Sequence, residues 1–304
     1  MDVHQLEALR VVGDRGSVTS AAEALHCTPS AVSQQLKALQ RDVGVPLTER
    51  VGRGLRLTPA GDALAREAVG VAIALERAGA AVGTFLDQPT GIVRVAAFQS
   101  AAQMFLPGLL TRLACRPGIV VECSDEDVAQ DEFVHLTSEF DVVIAHRADR
   151  DQEWAGADDG RVRVVPLLRE PLDVALPPEH RLADRTSVTP LDLADEEWIT
   201  VRAGFPVAAV LEAVTAGSGA VPRVRHRIND FHVAEALVAA GHGISLLPRF
   251  TADDRGGTRF RLVPLVGVRA GRQIDALVRP DRAERLVVRV VLETLRRHAS
   301  DVAG

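Results

Sequence analysis

Two short helical patterns that meet at a tight corner, within residues 17–42, constrain the N-terminal part of this chain most strongly. The apolar residues that recur at helical spacing are Val18, Ala21, Ala22 and Leu25 on the first helix and Val32, Leu36 and Leu39 on the second. Each predicted helix therefore buries one face. Between the two patterns, Thr28 suits an N-cap and Pro29 suits the first helical position, so a new helix is predicted to begin there.

The exposed face of the second predicted helix carries Ser30, Ser33, Gln34 and Lys37. These are hydrogen-bonding side chains and one cation, a set typical of a helix that lies in the major groove of DNA. Packed helix pairs with a polar outer face also occur in proteins that do not bind nucleic acid. The helix pair alone therefore leaves both interpretations open.

A local basic patch follows the helix pair, although the net charge of the whole chain is −6. Residues 49–57 predict two short strands around a glycine turn. Between residues 37 and 56 the acids Asp42 and Glu49 are outnumbered by the cations Lys37, Arg41, Arg50, Arg53 and Arg56. This excess predicts contact with DNA phosphates. A solvated arginine-rich hairpin is the alternative interpretation.

A long helix is predicted from Thr58-Pro59, because no strong helix breaker follows until Pro89. Apolar residues recur along it at alternating spacings of four and three, at Leu64, Ala68, Val71, Leu75, Ala78, Val82 and Phe85. Such a seam favours a homodimer through residues 59–88. Packing of the helix on its own chain would give the same periodicity. Helix-turn-helix domains commonly bind DNA as symmetric pairs, which supports the dimer.

Strand-like and helix-like runs alternate after residue 91, which predicts an α/β unit with a parallel sheet covered on both faces. Separate strands are expected at residues 163–168 and 172–176, a helix at 128–136 and a strand at 259–268. The predicted domains are 1–58, a linker helix at 59–88, and 91–304. The last divides into lobe I, about 91–162 and 266–300, and lobe II, about 163–265. A cleft between two such lobes predicts a small-molecule site.

The chain carries few signs of an enzyme or an exported protein. It contains no GxSxG, HExxH, dinucleotide-binding or phosphate-loop motif, and its histidines lack the spacing of metal ligands. We therefore expect no catalytic residues, no metal and no cofactor. The absence of a signal peptide and of a long apolar stretch predicts a cytoplasmic location, which argues against an exported solute-binding protein.

Three cysteines without a CxxC pair indicate reduced thiols. Cys115 and Cys123 suit ordinary buried positions, and a redox sensor is the alternative interpretation.

Over its full length the chain resembles the LysR-type transcriptional regulators. The motifs that carry the resemblance are LEAL at 6–9, GSVTSAAEAL at 16–25, SAVSQQL at 30–36, GVPL at 44–47 and LTPAG at 57–61, with looser matches at 170–172, 176–180, 229–230 and 239–248. The resemblance implies an N-terminal winged helix-turn-helix, a dimerising linker helix and a two-lobed effector domain similar to periplasmic binding proteins. It also implies a homo-oligomer, usually a tetramer. The expected function is sequence-specific binding of promoter DNA under the control of a small-molecule effector.

The resemblance also assigns site residues. Those that it implies for DNA binding are Thr28, Pro29, Ser30, Ser33, Gln34 and Lys37 on the helix and Arg50 and Arg53 on the wing. Two departures stand out: Thr48 replaces a usual aromatic residue, and Gln34 replaces a common arginine. The residues implied for effector binding are Gln99, Ser100, Ala101, Asp125, Thr200 and Arg202.

The chemistry of the implied effector residues suggests a charged ligand. Helix amides at Ser100 suit an anion and Arg202 could clamp a carboxylate, although Arg202 is equally consistent with a solvated surface residue. An acidic wall at residues 125–127 could face a cationic group, or the acids could simply begin a helix. Together, the two charged walls would suit an amino-acid-like zwitterion.

Overall fold

The computed structural model describes residues 1–52, 54–83, 89–149, 153–157 and 160–304. The N-terminal unit, called the head below, contains three helices, a two-stranded hairpin and the start of a long helix. These elements are α1 (Val3–Arg15), α2 (Val18–Ala24), α3 (Pro29–Val43), β1 (Thr48–Val51), β2 (Gly54–Leu57) and α4 (Pro59–Gly83). The predicted helix pair, hairpin and long helix are therefore all present.

Local capping explains why the head helices begin and end where they do. The Ser17 hydroxyl accepts the Ser20 N–H at 3.1 Å and begins α2. The Thr28 hydroxyl accepts the Ala31 N–H at 3.2 Å, and Pro29 takes the first turn of α3. Helix α3 ends at Gly44, whose φ of 76° lies in the left-handed region that glycine tolerates best. The cap predicted at Thr28 is confirmed.

The remainder of the described chain is one α/β unit that follows α4. Its elements are β3 (Gly91–Ala97), α5 (Gln99–Leu113), β4 (Ile119–Asp125), α6 (Phe133–Leu136), β5 (Val142–Ala148), β6 (Arg163–Leu176), β7 (Glu197–Thr200), α7 (Pro206–Ser218), β8 (Arg223–Arg227), α8 (Phe231–Ala239), β9 (Ile244–Pro248), β10 (Arg261–Val263), β11 (Gly271–Val278) and α9 (Leu286–Ala303). No helix in the described ranges is both long and apolar enough to cross a membrane.

One mixed sheet passes through both lobes, in the order β4-β3-β5-β11-β6-β9-β7-β8, with β10 beside β6. The expected parallel sheet is only partly right. Pairs among β3, β4 and β5 and among β7, β8 and β9 are parallel, whereas β11 runs antiparallel to both β5 and β6. The reason is that the chain enters lobe II along β6 and returns to lobe I along β11.

Three other sequence expectations need correction. Residues 163–168 and 172–176 form a single strand, β6, because Glu170 and Pro171 stay paired with β11. The helix expected over 128–136 is a 3-10 turn at Gln130–Glu132 followed by the short α6. The strand expected over 259–268 is limited to β10, since Pro264 lacks an N–H for the ladder.

Separate apolar cores stabilise the two lobes and the head. The lobe I core includes Phe105, Ile144 and Val291, and the larger of the two lobe II clusters is built around Trp198. Leu9 and Leu39 are fully buried in the head. Each of the three units therefore has its own apolar core.

Candidate nucleic-acid interface and ligand cleft

The outer face of α3 presents the polar residues expected for DNA contact. Ser30, Gln34 and Lys37 are exposed and Ser33 is half-buried. Gln34 and Lys37 form no side-chain hydrogen bond or ion pair with any other described residue. The Thr28 hydroxyl lies 2.9 Å from the Ser30 hydroxyl in addition to capping the helix. The face is therefore available to an external partner.

The wing formed by β1 and β2 contributes one free cation among its described residues. Arg50 is exposed without an ion-pair partner in the described part of the chain, whereas Arg56 pairs with Glu49 at 2.6 Å. Arg53 lies outside the described residues. The side-chain oxygen of Gln40 accepts the N–H groups of Leu47 at 2.8 Å and Thr48 at 3.3 Å. This amide fixes the start of the wing at the position where Thr48 departs from the usual aromatic residue.

Helix α4 uses its apolar seam in two ways. The N-terminal part packs within the chain, since Ala68 is buried and Leu64 lies against the head core. Farther along, Val71, Leu75 and Val82 are 40%, 49% and 68% exposed. The helix thus has two parts: its start packs in the head, and its later turns present an exposed apolar stripe. Phe85 lies outside the described residues.

The cleft between the lobes is closed in this structure. Its residual cavity of about 10 Å³ has room for roughly one water molecule. The lining combines apolar and polar side chains: Phe98, Gln99, Ser100, Asp127, His146, Val201, Phe205, Val207, Asn229, Phe231 and Arg272. The Asn229 amide of lobe II donates to the Asp127 carboxylate of lobe I at 3.2 Å, and the Gln130 N–H donates to the Gly204 carbonyl at 3.2 Å. These two bonds hold the lobes together across the opening.

Arg272 fills the floor of the cleft and has no exposed surface. Its guanidinium donates to the Glu170 carboxylate at 2.9 and 2.7 Å and to the Ser100 hydroxyl at 2.6 Å. It also lies 4.8 Å from the centre of the Phe98 ring. Because Glu170 is fully buried as well, the two charges compensate each other in a dry site.

His146 completes this floor in a defined protonation state. Burial, with the positive charge of Arg272 adding to it, lowers the pKa of His146 well below its ordinary value. The ring is therefore neutral at physiological pH. Because Arg272 Nη1, 3.2 Å away, can only donate, Nδ1 accepts and Nε2 carries the proton. That buried Nε2 has no hydrogen-bond partner among the described residues, so the floor retains one unused donor.

The structure disperses the six residues implied for effector binding. Gln99 and Ser100 line the cleft at the start of α5, whereas Ala101 is buried in the lobe I core. Thr200 is buried and its carbonyl accepts the Ile228 N–H at 2.7 Å. Asp125 and Arg202 are exposed and lie outside the cavity lining, and Arg202 stands 5.6 Å from the Phe205 ring.

Sequence reasoning missed Arg272, Glu170 and His146 as cleft residues. Their mutual contacts join positions 102 and 126 residues apart in the chain. Glu170 lies in a segment that carries the family resemblance, residues 170–172, but spacing in the sequence does not identify its partner. Arg272, just before the predicted strand 273–279, and Asp275 on it were the available signal, because charged side chains are rarely fully buried unless they are paired.

A second buried ion network joins the head to lobe I. Arg10 of α1 donates to Asp281 at 3.3 and 3.1 Å and to Glu7 at 2.6 Å. Arg279 donates to Glu7 at 3.0 Å and to Asp281 at 3.2 and 3.1 Å. These four residues, called the clasp below, alternate in charge, so every buried charge has two opposite neighbours.

All three cysteines are exposed and free. The expectation that Cys115 and Cys123 are buried is therefore wrong. Cys115 lies in the loop after α5, and Cys123 lies on β4, which is an edge strand of the sheet. Partial burial still raises the pKa of the Cys123 thiol, which lowers its reactivity as a thiolate. In the described ranges no three His, Cys, Asp or Glu residues are grouped as a metal site.

Comparison with known proteins agrees with this architecture. Residues 3–62 match the model for "Bacterial regulatory helix-turn-helix protein, lysR family", and residues 86–300 match the "LysR substrate binding domain". The small neutral protease regulatory protein of Streptomyces coelicolor is 32% identical over 81% of this chain and 73% of its own length. The transcriptional dual regulator GltC of Bacillus subtilis is 26% identical, covering 83% of this chain and 82% of GltC.

Among solved structures, a full-length OxyR variant from Pseudomonas aeruginosa superposes with a TM-score of 0.66 at 20% identity and covers 97% of this chain and 98% of that one. ArgP from Mycobacterium tuberculosis gives 0.64 at 23% identity, with 99% and 98% coverage. This chain thus shares its overall fold with both structures. On the family models and the identity to the Streptomyces regulator, this chain belongs to the LysR family of transcriptional regulators, with a DNA-binding head and an effector-binding domain.

Proposed function

We propose that this chain reads promoter DNA through α3 and the wing, and that it is controlled by a small molecule bound between the lobes. The observation that carries the proposal is the free face of Gln34, Lys37 and Arg50, whose side chains have no partner within the described chain. The DNA-contacting set is the one that the family implies: Thr28, Pro29, Ser30, Ser33, Gln34, Lys37, Arg50 and Arg53. We assign Thr28 to phosphate contact or capping and Ser33 and Gln34 to base edges or nearby phosphate. The arginines are assigned to phosphates and the minor groove.

Binding to a promoter fragment and to random DNA tests these roles. Gln34→Ala should reduce the preference for the promoter by about 1–3 kcal/mol, because it removes a bidentate base contact. Arg50→Ala should weaken both complexes alike and lower the salt dependence by about one counterion. Gln103→Ala and Arg116→Ala are the matched controls, since both residues are exposed on lobe I. Identical behaviour of Gln34→Ala and Arg50→Ala would contradict the assignment.

We infer a homodimer through the predicted linker, residues 59–88, in which the exposed stripe of α4 meets its copy. Two such dimers would form the homotetramer that the family resemblance implies. Leu75→Glu should reduce the assembled mass in sedimentation, because it places a charge on the seam. Leu191→Glu is the control, since Leu191 is 71% exposed on lobe II. An unchanged mass for Leu75→Glu would assign the dimer contact to another surface.

The proposed effector residues are Gln99, Ser100, Ala101, Asp125, Thr200 and Arg202, to which the cleft floor adds Arg272 and His146. An effector larger than water requires the lobes to separate, because the cavity holds only about one water molecule. A thermal-shift panel of organic acids and amino acids tests the zwitterion hypothesis. Ser100→Ala should abolish a stabilising shift that Ser300→Ala retains. Stabilisation by uncharged compounds alone would reject a charged ligand.

We place this activity in the cytoplasm and assign the chain no catalytic step, metal or cofactor. The domain division at 1–58, 59–88 and 91–304 assigns DNA reading, pairing and effector binding to separate parts. Absence of turnover, together with a salt-dependent mobility shift on DNA, would distinguish this regulator from an enzyme or a solute-binding protein.

A further inference from the structure

The side chain of Arg272 fills the floor of the closed cleft, where an effector would bind. Its guanidinium is enclosed by Glu170, Ser100 and His146, and it lies over the Phe98 ring. A ligand that enters this floor must therefore share or displace contacts that Arg272 already makes. The protein's response to a ligand begins with the position of this one side chain.

Arg272 lies near the start of β11, and the clasp lies just beyond the other end of the same strand. Arg279 immediately follows Val278, the last residue of β11, and Asp281 is two residues farther on. Arg279 lies seven positions after Arg272, which corresponds to about 23 Å of extended strand. One strand thus joins the floor of the cleft to the residues that bind α1 of the head.

The strand is well held between those two ends. It pairs with β5 on one side over residues 272–277, and with β6 on the other over residues 271–278, with a register shift between Ile274 and Asp275. In its middle, buried Asp275 accepts from Arg147 at 3.0 Å and from the Trp154 indole at 2.8 Å. A strand with paired neighbours on both sides moves as a unit more readily than it bends, so a displacement at Arg272 is transmitted along it.

The clasp should respond to a displacement of β11 by either staying intact or opening fully, because an intermediate arrangement is unfavourable. The side chains of Arg10, Arg279 and Asp281 are 8%, 5% and 12% exposed, whereas that of Glu7 is 31% exposed. Partial separation would leave buried charges without partners, which is costlier than either an intact clasp or a fully hydrated one. The junction therefore favours two discrete arrangements, as a switch requires.

We propose that β11 couples the effector cleft to the DNA-binding head, with Arg272 as the input and the clasp of Glu7, Arg10, Arg279 and Asp281 as the output. This inference rests on the proposed function, because it takes the cleft as the effector site. When Arg272 is held by Glu170 and Ser100, the clasp fixes the head on lobe I. When the floor is disturbed, the clasp opens and the head reorients.

Chemical rescue tests the coupling without knowledge of the natural effector. Arg272→Ala leaves a guanidinium-shaped space beside Glu170 and Phe98, and millimolar guanidinium chloride is the probe that refills it. Hydrogen exchange is followed in peptides 1–16 and 279–286 at the junction and in peptides 98–102 at the cleft, with sodium chloride as the salt control. Affinity for promoter DNA is measured in parallel.

The expected result is exchange at both junction peptides about tenfold faster in Arg272→Ala, returning toward wild type with guanidinium. Coupling is reciprocal, so Asp281→Asn should likewise speed exchange at residues 98–102. Glu139→Gln is the matched control, because Glu139 pairs with Arg15 of the head but is not attached to β11. It should leave the cleft peptides unchanged.

Three outcomes would overturn the proposal: rescue of the cleft peptides without the junction, no reciprocal effect of Asp281→Asn, or an equal effect of Glu139→Gln. If Arg272→Ala does not fold, Ser100→Ala and Asp281→Asn decide the question, since each leaves Arg272 in place. Junction coupling without any change in DNA affinity would reject the proposed function and leave the coupling intact. A change in DNA affinity without a junction response would reject the coupling alone.

Discussion

At Gly61 of α4, the methyl group added by a substitution to alanine should disrupt the packing of this long helix against the head. A Cβ added there would lie 2.0 Å from the Leu47 carbonyl oxygen and 2.9 Å from its carbon. Both atoms belong to the backbone, so no side-chain rotation relieves the overlap. Two hydrogen bonds lie beside this contact. The Thr58 N–H donates to the Leu47 carbonyl oxygen at 3.0 Å, and the Thr58 hydroxyl donates to the Pro46 carbonyl oxygen at 2.8 Å.

The expected cost of Gly61→Ala follows from this geometry. Overpacking of a tight site lowers the free energy of unfolding by about 1–3 kcal/mol. We expect about 3 kcal/mol here, because the Leu47 carbonyl is part of the backbone and cannot rotate away. Gly70 lies in the same helix with open space around its Cβ position. Gly70→Ala should instead stabilise by about 1 kcal/mol through helix propensity. The two alanine variants should therefore differ by about 4 kcal/mol.

Urea denaturation of the full chain, followed by far-UV circular dichroism, measures this difference. The helical signal is needed because the two tryptophans, Trp154 and Trp198, lie in the lobes and do not report on the head. We expect an early unfolding step in Gly61→Ala that tryptophan fluorescence does not detect, together with weaker DNA binding. Superimposable curves for Gly61→Ala and Gly70→Ala would show that α4 adjusts freely against Leu47, and the reasoning would fail.

Three further outcomes are expected. Glu170→Ala should lower the free energy of unfolding by about 3–5 kcal/mol, because it leaves the Arg272 charge buried and unpaired. The double variant Glu170→Ala/Arg272→Met should recover most of this loss, whereas additive losses in urea denaturation would show that the two side chains do not stabilise each other. Burial raises the pKa of Asp14, and a raised carboxyl pKa loses stability as pH rises through it. Asp14→Asn should therefore melt higher than wild type at pH 7, with the gap closing toward about pH 4, where the unfolded carboxyl also protonates. All three thiols should react with a thiol reagent in the native state, with Cys123 slowest at neutral pH because its pKa is raised; a protected thiol would conflict with their exposure.

Local chemistry made the head predictable from sequence. Thr28 and Pro29 set the start of α3 whatever surrounds them, and the apolar spacing of Val32, Leu36 and Leu39 defines its buried face. The hairpin likewise follows from its glycines. Each of these signals lies within a few residues of the structure that it specifies.

The cleft could not be predicted in the same way, because its floor is assembled from distant strands. Ser100 and Arg272 meet across 172 residues, and only the antiparallel return of β11 brings them together. The two strands expected at 163–168 and 172–176 likewise form the single strand β6, because Pro171 stays in register opposite Gly271 of the distant β11. Arg202 was a plausible clamp by charge alone, but it is not among the residues that line the cavity, and its guanidinium lies 5.6 Å from the centre of the Phe205 ring.

Lys37 is the only lysine of the chain, and it lies exposed on α3. An acylating reagent therefore has one ε-amine to modify, besides the α-amine of Met1, which is ion-paired with Asp42. Acetylation would remove the single ammonium charge from α3, the proposed DNA-reading helix, and leave every other side-chain cation intact. The Lys37 amine thus offers one labelling site on the surface proposed to contact DNA. Protection of this amine from acetylation by bound DNA can be measured by mass spectrometry on the unmodified sequence.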